Sequence, residues 1–216
     1  MSTQNIFGIP IYHSRVDNHK EIKQQLTPYF DNDKYFETPS TWLCTVKTSI
    51  NAEANAEVDY KLWLKSVIEK HLDPYLKSLK PVDPRILVNT RHIWMNKYNK
   101  NDGQDKHNHI DGVTHFSCAY VVEQPEESCE FIFVDDEDYV AAHGLGQIFY
   151  FDQSKKNYFI DLKEGDIVIF PAWLNHAVSP NKSDKQRRTI SANWSVRLAD
   201  EVGKKQFSVD LNKNVG

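Results

Sequence analysis

From Val88 to Val196 the chain is a succession of short apolar and β-branched runs separated by turn residues, and this pattern restricts the fold more than anything else in the sequence. The runs are Val88–Tyr98, Thr114–Val122, Glu130–Val134, Gln147–Asp152, Asn157–Asp161, Asp166–Phe170, His176–Ser179 and Arg188–Val196, punctuated by Gly103, Gly144, Gly146 and Gly165. Short strands at such spacing, with turn chemistry between them, build antiparallel sandwiches or barrels rather than helical bundles. The preceding part reads differently. Ile6 to Val16 is β-leaning but holds Pro10, which suits an edge strand because proline cannot donate to a ladder. His19 to Leu26 predicts a short helix, and Val58 to Leu79 a longer one carrying Leu62, Ile68, Leu72, Leu76 and Leu79 near a 3.6-residue period. Pro74 is expected to kink or split it.

A helical lead-in followed by many strands predicts a mainly β chain with N-terminal helices, built on a double-stranded β-helix (jelly-roll, cupin-like) core. One domain is expected: residues 1–87 as strand and helical support, 88–198 as the core and 199–216 as a tail. The net charge of -4 and pI of about 6.1 argue against a dedicated nucleic-acid binder. Cys44, Cys118 and Cys129 are odd in number with no CxxC spacing, so they read as reduced thiols in a cytoplasmic protein. The N-terminus lacks a basic flank and apolar h-region, and no apolar run approaches membrane-spanning length.

Within the strand-rich half, successive side chains point to opposite faces, so residues i and i+2 share one. His109 and Asp111 can therefore address a common ion across Ile110, offering an imidazole nitrogen and a hard carboxylate oxygen. A third ligand must arrive from a distant strand, and His176 is placed for it, after the buried run Ile167 to Phe170 and the turn begun by Pro171. Two histidines and one carboxylate are the facial set of a non-haem Fe(II) site. His107 shares parity with His109, so a three-histidine site of His107, His109 and His176 is the alternative; otherwise His107 stands beside the site, near its mouth.

On the last core strand, Arg187, Thr189, Ser191 and Asn193 fall on one face and Arg188, Ile190, Ala192 and Trp194 on the other. If the polar face lines the barrel interior it is a binding wall, and a buried arginine there needs an anionic partner. Ile190 and Trp194, suited to packing under the helices, favour that orientation. Arg187 is the expected anchor, with Arg188 as the alternative.

These features together resemble the 2-oxoglutarate/Fe(II)-dependent oxygenases, and in particular a small bacterial and phage branch related to prolyl-4-hydroxylase-like domains. The similarity runs from Ile6-Phe7-Gly8-Ile9-Pro10 to Asn193. It passes through Trp94-Met95-Asn96, Gly103, Ser117 to Val121, Gly165 to Pro171 with His176, and Arg187 to Asn193. Where that branch often has HxH followed by Pro-Gly, this chain reads His109-Ile110-Asp111-Gly112 when aligned without gaps. The resemblance implies His109, Asp111 and His176 as metal ligands and Arg187 as the anchor of the distal carboxylate of 2-oxoglutarate. Tyr120, Ser191, Thr189 and Asn96 would be further contacts to the co-substrate.

The implied cofactors are Fe(II) and 2-oxoglutarate, with O2 as the second co-substrate and ascorbate as an accessory reductant. The implied reaction is a dioxygenase reaction that hydroxylates a C–H bond and releases succinate and CO2. The primary substrate is a peptide or small molecule, and peptidyl proline is the first guess by analogy of fold. Neither nucleic acid nor membrane is an expected partner; a homodimer through the N-terminal edge strand is open. Two readings compete: a non-catalytic cupin-like binding protein, which would not need Arg187, and a metal-dependent hydrolase or isomerase on the same barrel.

Overall fold

The computed structural model describes residues 8–40, 42, 44–82, 85–135 and 157–199. The expected strand at Gln147–Asp152 and nearly all of the expected tail lie outside the described residues. The order of elements is β1 (Tyr12–Arg15), α1 (His19–Phe30), β2 (Lys47–Thr48), α2 (Lys61–Val67), α3 (Asp73–Ser78), β3 (Ile86–Tyr98), β4 (Gln104–His107), β5 (Phe116–Glu123), β6 (Phe131–Val134), β7 (Asn157–Ile160), β8 (Asp166–Pro171), β9 (His176–Val178) and β10 (Arg187–Leu198). The strands form a six-stranded sheet in the order β1-β8-β5-β10-β3-β2 and a four-stranded sheet in the order β4-β9-β6-β7. Every strand pairing among the described residues is antiparallel, as a double-stranded β-helix requires.

The larger sheet is covered on both faces, and its strands accordingly carry apolar residues at both parities. On β8, Ile167 and Ile169 join the core beneath the helices, while Val168 and Phe170 join the core between the sheets. On β5, Cys118, Tyr120 and Val122 face the helices, and Ala119 and Val121 face the smaller sheet. On β10, Ile190, Ala192 and Trp194 pack under the helices, so Arg187, Thr189, Ser191 and Asn193 are turned between the sheets. Burying Trp194 completely removes on the order of 200 Å² of ring from water. This alone is a strong constraint on which way the strand faces.

Both helices carry a proline and absorb it differently. α1 runs four residues beyond the predicted Leu26, through Pro28, because Ile22, Leu26 and Phe30 form a fully buried stripe and Thr27 Oγ1 donates to the Lys23 carbonyl at 2.7 Å. The second helix begins at Lys61 and continues past Pro74 through a π-turn at Ile68–Leu72, with the Asp73 N–H reaching back to the Ile68 carbonyl. Widening the preceding turn accommodates the proline ring and its missing donor, so the helix is locally unwound rather than broken. Among the described residues no helix is long and apolar enough to cross a membrane.

Candidate metal and co-substrate site

Three histidines converge between the sheets. His107 ends β4, His176 begins β9, and the two are direct partners across the β4–β9 ladder. Between the pairs Gln104↔Val178 and His107↔His176, β4 contains one residue more than β9, a β-bulge formed at Asp105 and Lys106. The bulge restores the parity of His107, so Gln104 and His107, three residues apart, line the same cavity. His109 follows two residues later, its backbone N–H held by the Ala172 carbonyl at 2.8 Å.

The ligand-capable nitrogens of His107, His109 and His176 all lie within 4.8 Å of one another. His109 Nε2 and His176 Nε2 are 3.3 Å apart. The outer nitrogens of two rings meet backbone acceptors: His107 Nδ1 lies 2.7 Å from the Asp105 carbonyl and His176 Nδ1 lies 3.0 Å from the Leu174 carbonyl. A carbonyl can only accept, so Nδ1 carries the proton in both rings and Nε2 keeps its lone pair for a metal. Burial depresses the pKa of all three, to about 4 for His109, and mutual repulsion among the rings adds to it at His109 and His176. Neutral imidazoles are the form a metal needs. Phe131 stacks on His176 at 5.4 Å and Phe170 meets its face edge-on at 4.8 Å, which fixes that ring by packing.

Asp111, expected as the carboxylate ligand, is not part of this cluster. It sits past the end of the strand in an exposed turn, where alternation no longer applies. Its Oδ1 accepts from the Val113 and Thr114 backbone N–H groups at 2.9 and 2.6 Å, and its Oδ2 from Thr114 Oγ1 at 2.8 Å. Partial burial pushes the carboxyl pKa up, but these hydrogen bonds outweigh it and hold the group below the usual carboxylate range. The turn uses both oxygens of Asp111, and His107 occupies the third corner.

The wall beyond the histidines is polar. Arg187 is 1% exposed, its Nε donates to Gln124 Oε1 at 2.7 Å, and its guanidinium carbon lies 5.3 Å from the centre of the Tyr98 ring. No carboxylate of the described residues pairs with it. A buried cation that among the described residues meets an amide and a ring face, and no carboxylate, is a fitting receptor for an anion. Asn96 Nδ2 reaches Thr189 Oγ1 and Ser191 Oγ at 3.4 and 3.3 Å, and Asn96 Oδ1 is buried with no partner. Arg188 is turned to the other side, against Asp31 and Glu123.

Tyr120 is not on this wall. It lies on the helix-facing side of β5, where its hydroxyl meets His19 Nδ1 at 2.6 Å and its ring packs near Trp63. The tyrosine beside the arginine is Tyr98, the register partner of Arg187, with its hydroxyl 3.1 Å from Gln104 Oε1. It shares a face with Trp94 and Asn96 and could have been found by counting along β3.

Two cavities meet at the histidines. The inner one, about 20 Å³, is lined by Tyr98, Gln104, Arg187, Thr189 and Ser191. The outer one, about 350 Å³, opens among Trp42, Cys44, Ile50 and Trp94. Trp94, Gln104, His107 and His109 border both. The histidines thus stand between an arginine-ended recess and an aromatic mouth of the size that small ligands fill.

A family profile described as "Putative 2OG-Fe(II) oxygenase" matches residues 92–193, from within β3 to the inward face of β10, and so takes in the three histidines and Arg187. Over this stretch, just under half of the chain, the sequence is similar to the 2-oxoglutarate/Fe(II) oxygenases. The similarity supports an iron- and 2-oxoglutarate-dependent oxygenase, with Fe(II) and 2-oxoglutarate as cofactor and co-substrate. Comparison with curated proteins gives no match.

Among solved structures, a prolyl-4-hydroxylase from Pseudomonas putida is similar at 11% identity and a TM-score of 0.52, over 87% of this chain and 92% of that one. A prolyl hydroxylase from Trichoplax adhaerens, in complex with a hypoxia inducible factor peptide fragment, is similar at 11% identity and 0.57, over 86% and 83%. HygX from Streptomyces hygroscopicus, with nickel and 2-oxoglutarate bound, is similar at 8% and 0.57, over 87% and 83%. At these identities the likeness is one of fold.

Proposed function

We propose that this oxygenase is a hydroxylase that binds its iron through His107, His109 and His176, holds the distal carboxylate of 2-oxoglutarate on Arg187, and acts on a peptidyl residue, proline first, presented at the Trp42–Trp94 mouth. The observation that carries the reading is the convergence of three neutral imidazoles beside a buried arginine lacking a carboxylate partner among the described residues. Imidazole nitrogen suits Fe(II), and an ion held by His107, His109 and His176 would keep room for co-substrates beside these three ligands. When bound, Fe(II) and 2-oxoglutarate supply oxidative decarboxylation to succinate and CO2 coupled to insertion of one oxygen atom into a C–H bond.

The remaining roles belong to the protein. Arg187 orients the co-substrate by a fixed fork of donors, and Gln124 and the Tyr98 ring hold that fork in place. Thr189, Ser191 and Asn96 offer hydrogen bonds along the recess. Phe131 and Phe170 close the far side of His176 against water. Trp42, Ile50 and Trp94 support a proline ring as substrate by giving it faces to pack on, with Gln104, Asp105 and Lys106 on the other side of the same mouth. The prolyl hydroxylase fold neighbours lend support at the level of architecture only.

The test is incubation of the iron-loaded protein with 2-oxoglutarate, O2 and a panel of proline-containing and proline-free peptides, scored by succinate release and by mass gain of one oxygen atom. Proline-dependent oxygen transfer supports the proposal. Succinate release without oxygen transfer to any peptide would remove the peptidyl substrate and leave the oxygenase in need of a small-molecule one.

A further inference from the structure

We propose that Asn193 is a positioning residue that sets the tautomer of His109, and that loading a metal turns the Asn193 amide over against the hydroxyl of Ser117. The inference rests on the three-histidine reading of the site. His107 and His176 direct Nδ1 at the Asp105 and Leu174 carbonyls, which fixes their tautomers permanently. His109 differs from both. Its Nδ1 faces a side-chain amide, Asn193 Nδ2, at 3.5 Å, and the other end of that amide, Oδ1, accepts from Ser117 Oγ at 2.7 Å within the buried interior.

The proton positions follow in sequence. Leu174 fixes the proton of His176 on Nδ1, so His176 Nε2 is bare. Its 3.3 Å contact with His109 Nε2 is then a hydrogen bond only if His109 Nε2 carries a proton. A neutral His109 so protonated has a bare Nδ1, which matches the Asn193 N–H that faces it. All four groups are mutually satisfied in this arrangement.

Metal ligation through His109 Nε2 requires the opposite tautomer, with the proton on Nδ1. An N–H facing an N–H is repulsive, so the amide must rotate by half a turn to present Oδ1 to His109. Nδ2 then meets Ser117 Oγ, and a hydroxyl can accept as readily as it donates. No charge changes, Asn193 keeps both of its partners, and the Ser117 hydroxyl passes from donor to acceptor. Asparagine is the residue that permits both states, since an aspartate could only accept and an aliphatic side chain could do neither. Asn193 is 7% exposed and Ser117 1%, so water is a poor substitute for either.

The experiment uses full-length protein, depleted of metal by chelation and labelled with 15N at histidine, with Zn(II) as the probe because it is diamagnetic. Long-range proton–nitrogen NMR distinguishes the Nδ1–H and Nε2–H tautomers. The wild type should show His109 as Nε2–H before zinc and Nδ1–H after it. In Asn193→Asp, His109 should carry a proton on Nδ1 before any zinc is added, and zinc affinity should be retained or increased. Asn193→Ala should weaken zinc binding by about 10- to 100-fold, as loss of a ligand-orienting partner does elsewhere, with Ser117→Ala smaller in the same direction.

If His109 remains Nε2–H in Asn193→Asp, or if Asn193→Ala binds zinc like the wild type, the inference is overturned. The aspartate variant keeps the test decisive even if the alanine variant does not fold. A His109→Ala control separates the two readings. Unchanged zinc affinity in that variant would overturn the three-histidine site itself, whereas its loss beside an unaffected Asn193→Ala would overturn only the role of Asn193.

Discussion

His107 and His176 face each other across the β4–β9 ladder with ring centroids 4.2 Å apart, whereas the carboxylate of Asp111 is bound to Val113 and Thr114. Metal affinity should therefore follow His107 and not Asp111. His107→Ala is expected to weaken Fe(II) or Co(II) binding by at least 100-fold. Asp111→Asn should leave it within a few-fold while lowering stability by about 1 kcal/mol through weakened turn hydrogen bonds. Calorimetric or optical titration of the metal into both variants, with thermal unfolding alongside, checks this. A collapse of affinity in Asp111→Asn with full binding in His107→Ala would restore the carboxylate set.

Arg187 separates co-substrate binding from metal binding. Arg187→Ala should weaken 2-oxoglutarate binding by about 10- to 1,000-fold, in keeping with loss of a buried charge-assisted pair worth a few kcal/mol. The metal Kd should stay unchanged. Arg187→Lys should recover only part of the loss, because an ammonium cannot reproduce the fork. Anaerobic titration of 2-oxoglutarate into the Fe(II) protein, followed by its weak visible charge-transfer absorption, measures all three.

Tyr120 and Tyr98 should exchange the roles that their sequence contexts suggest. Tyr120→Phe removes the hydrogen bond to His19 and should lower stability by about 1 kcal/mol with 2-oxoglutarate affinity intact. Tyr98→Phe, beside Arg187 and Gln104, should weaken 2-oxoglutarate binding several-fold. Equal effects of the two on 2-oxoglutarate affinity would contradict the placement of Tyr120 behind the sheet.

Acid should destabilise the metal-free protein through its histidines. Their folded pKa values lie below the unfolded value of 6.5, so the unfolded chain binds more protons between the two. Stability is then fully present above pH 6.5 and declines as pH falls through that value, towards about 4 in the case of His109. His109 alone contributes up to about 3 kcal/mol of this dependence. Replacing it with glutamine should flatten the curve of unfolding free energy between pH 4 and 6.5. An unchanged slope would show that the ring titrates normally.

Alternation made the inward face of β10 legible in the sequence, because Ile190, Ala192 and Trp194 demanded the helix side and left Arg187, Thr189, Ser191 and Asn193 no other place. His176 was singled out by its place after the buried run Ile167 to Phe170 and its turn, and the structure brings it together with His109. Asp111 was misleading because the i, i+2 rule holds only while the chain remains extended, and Gly112, at φ 80°, already belongs to a turn. The strand β4 left almost no signal: Gln-Asp-Lys-His has no apolar alternation, lies at the edge of its sheet and is bulged. Tyr120 was misplaced because a sheet covered on both faces is apolar at every position, and composition then says nothing about which side a tyrosine takes.

The extra residue in β4 makes the chemistry of the site depend on a count of one. Without it, the ladder would carry His107 to the opposite side of the strand, and the cavity would keep two imidazoles and an empty corner. Length variation of a single residue between Gln104 and His107 is thus a route by which one barrel could pass between a three-nitrogen and a two-nitrogen metal centre, leaving the arginine recess and the aromatic mouth untouched.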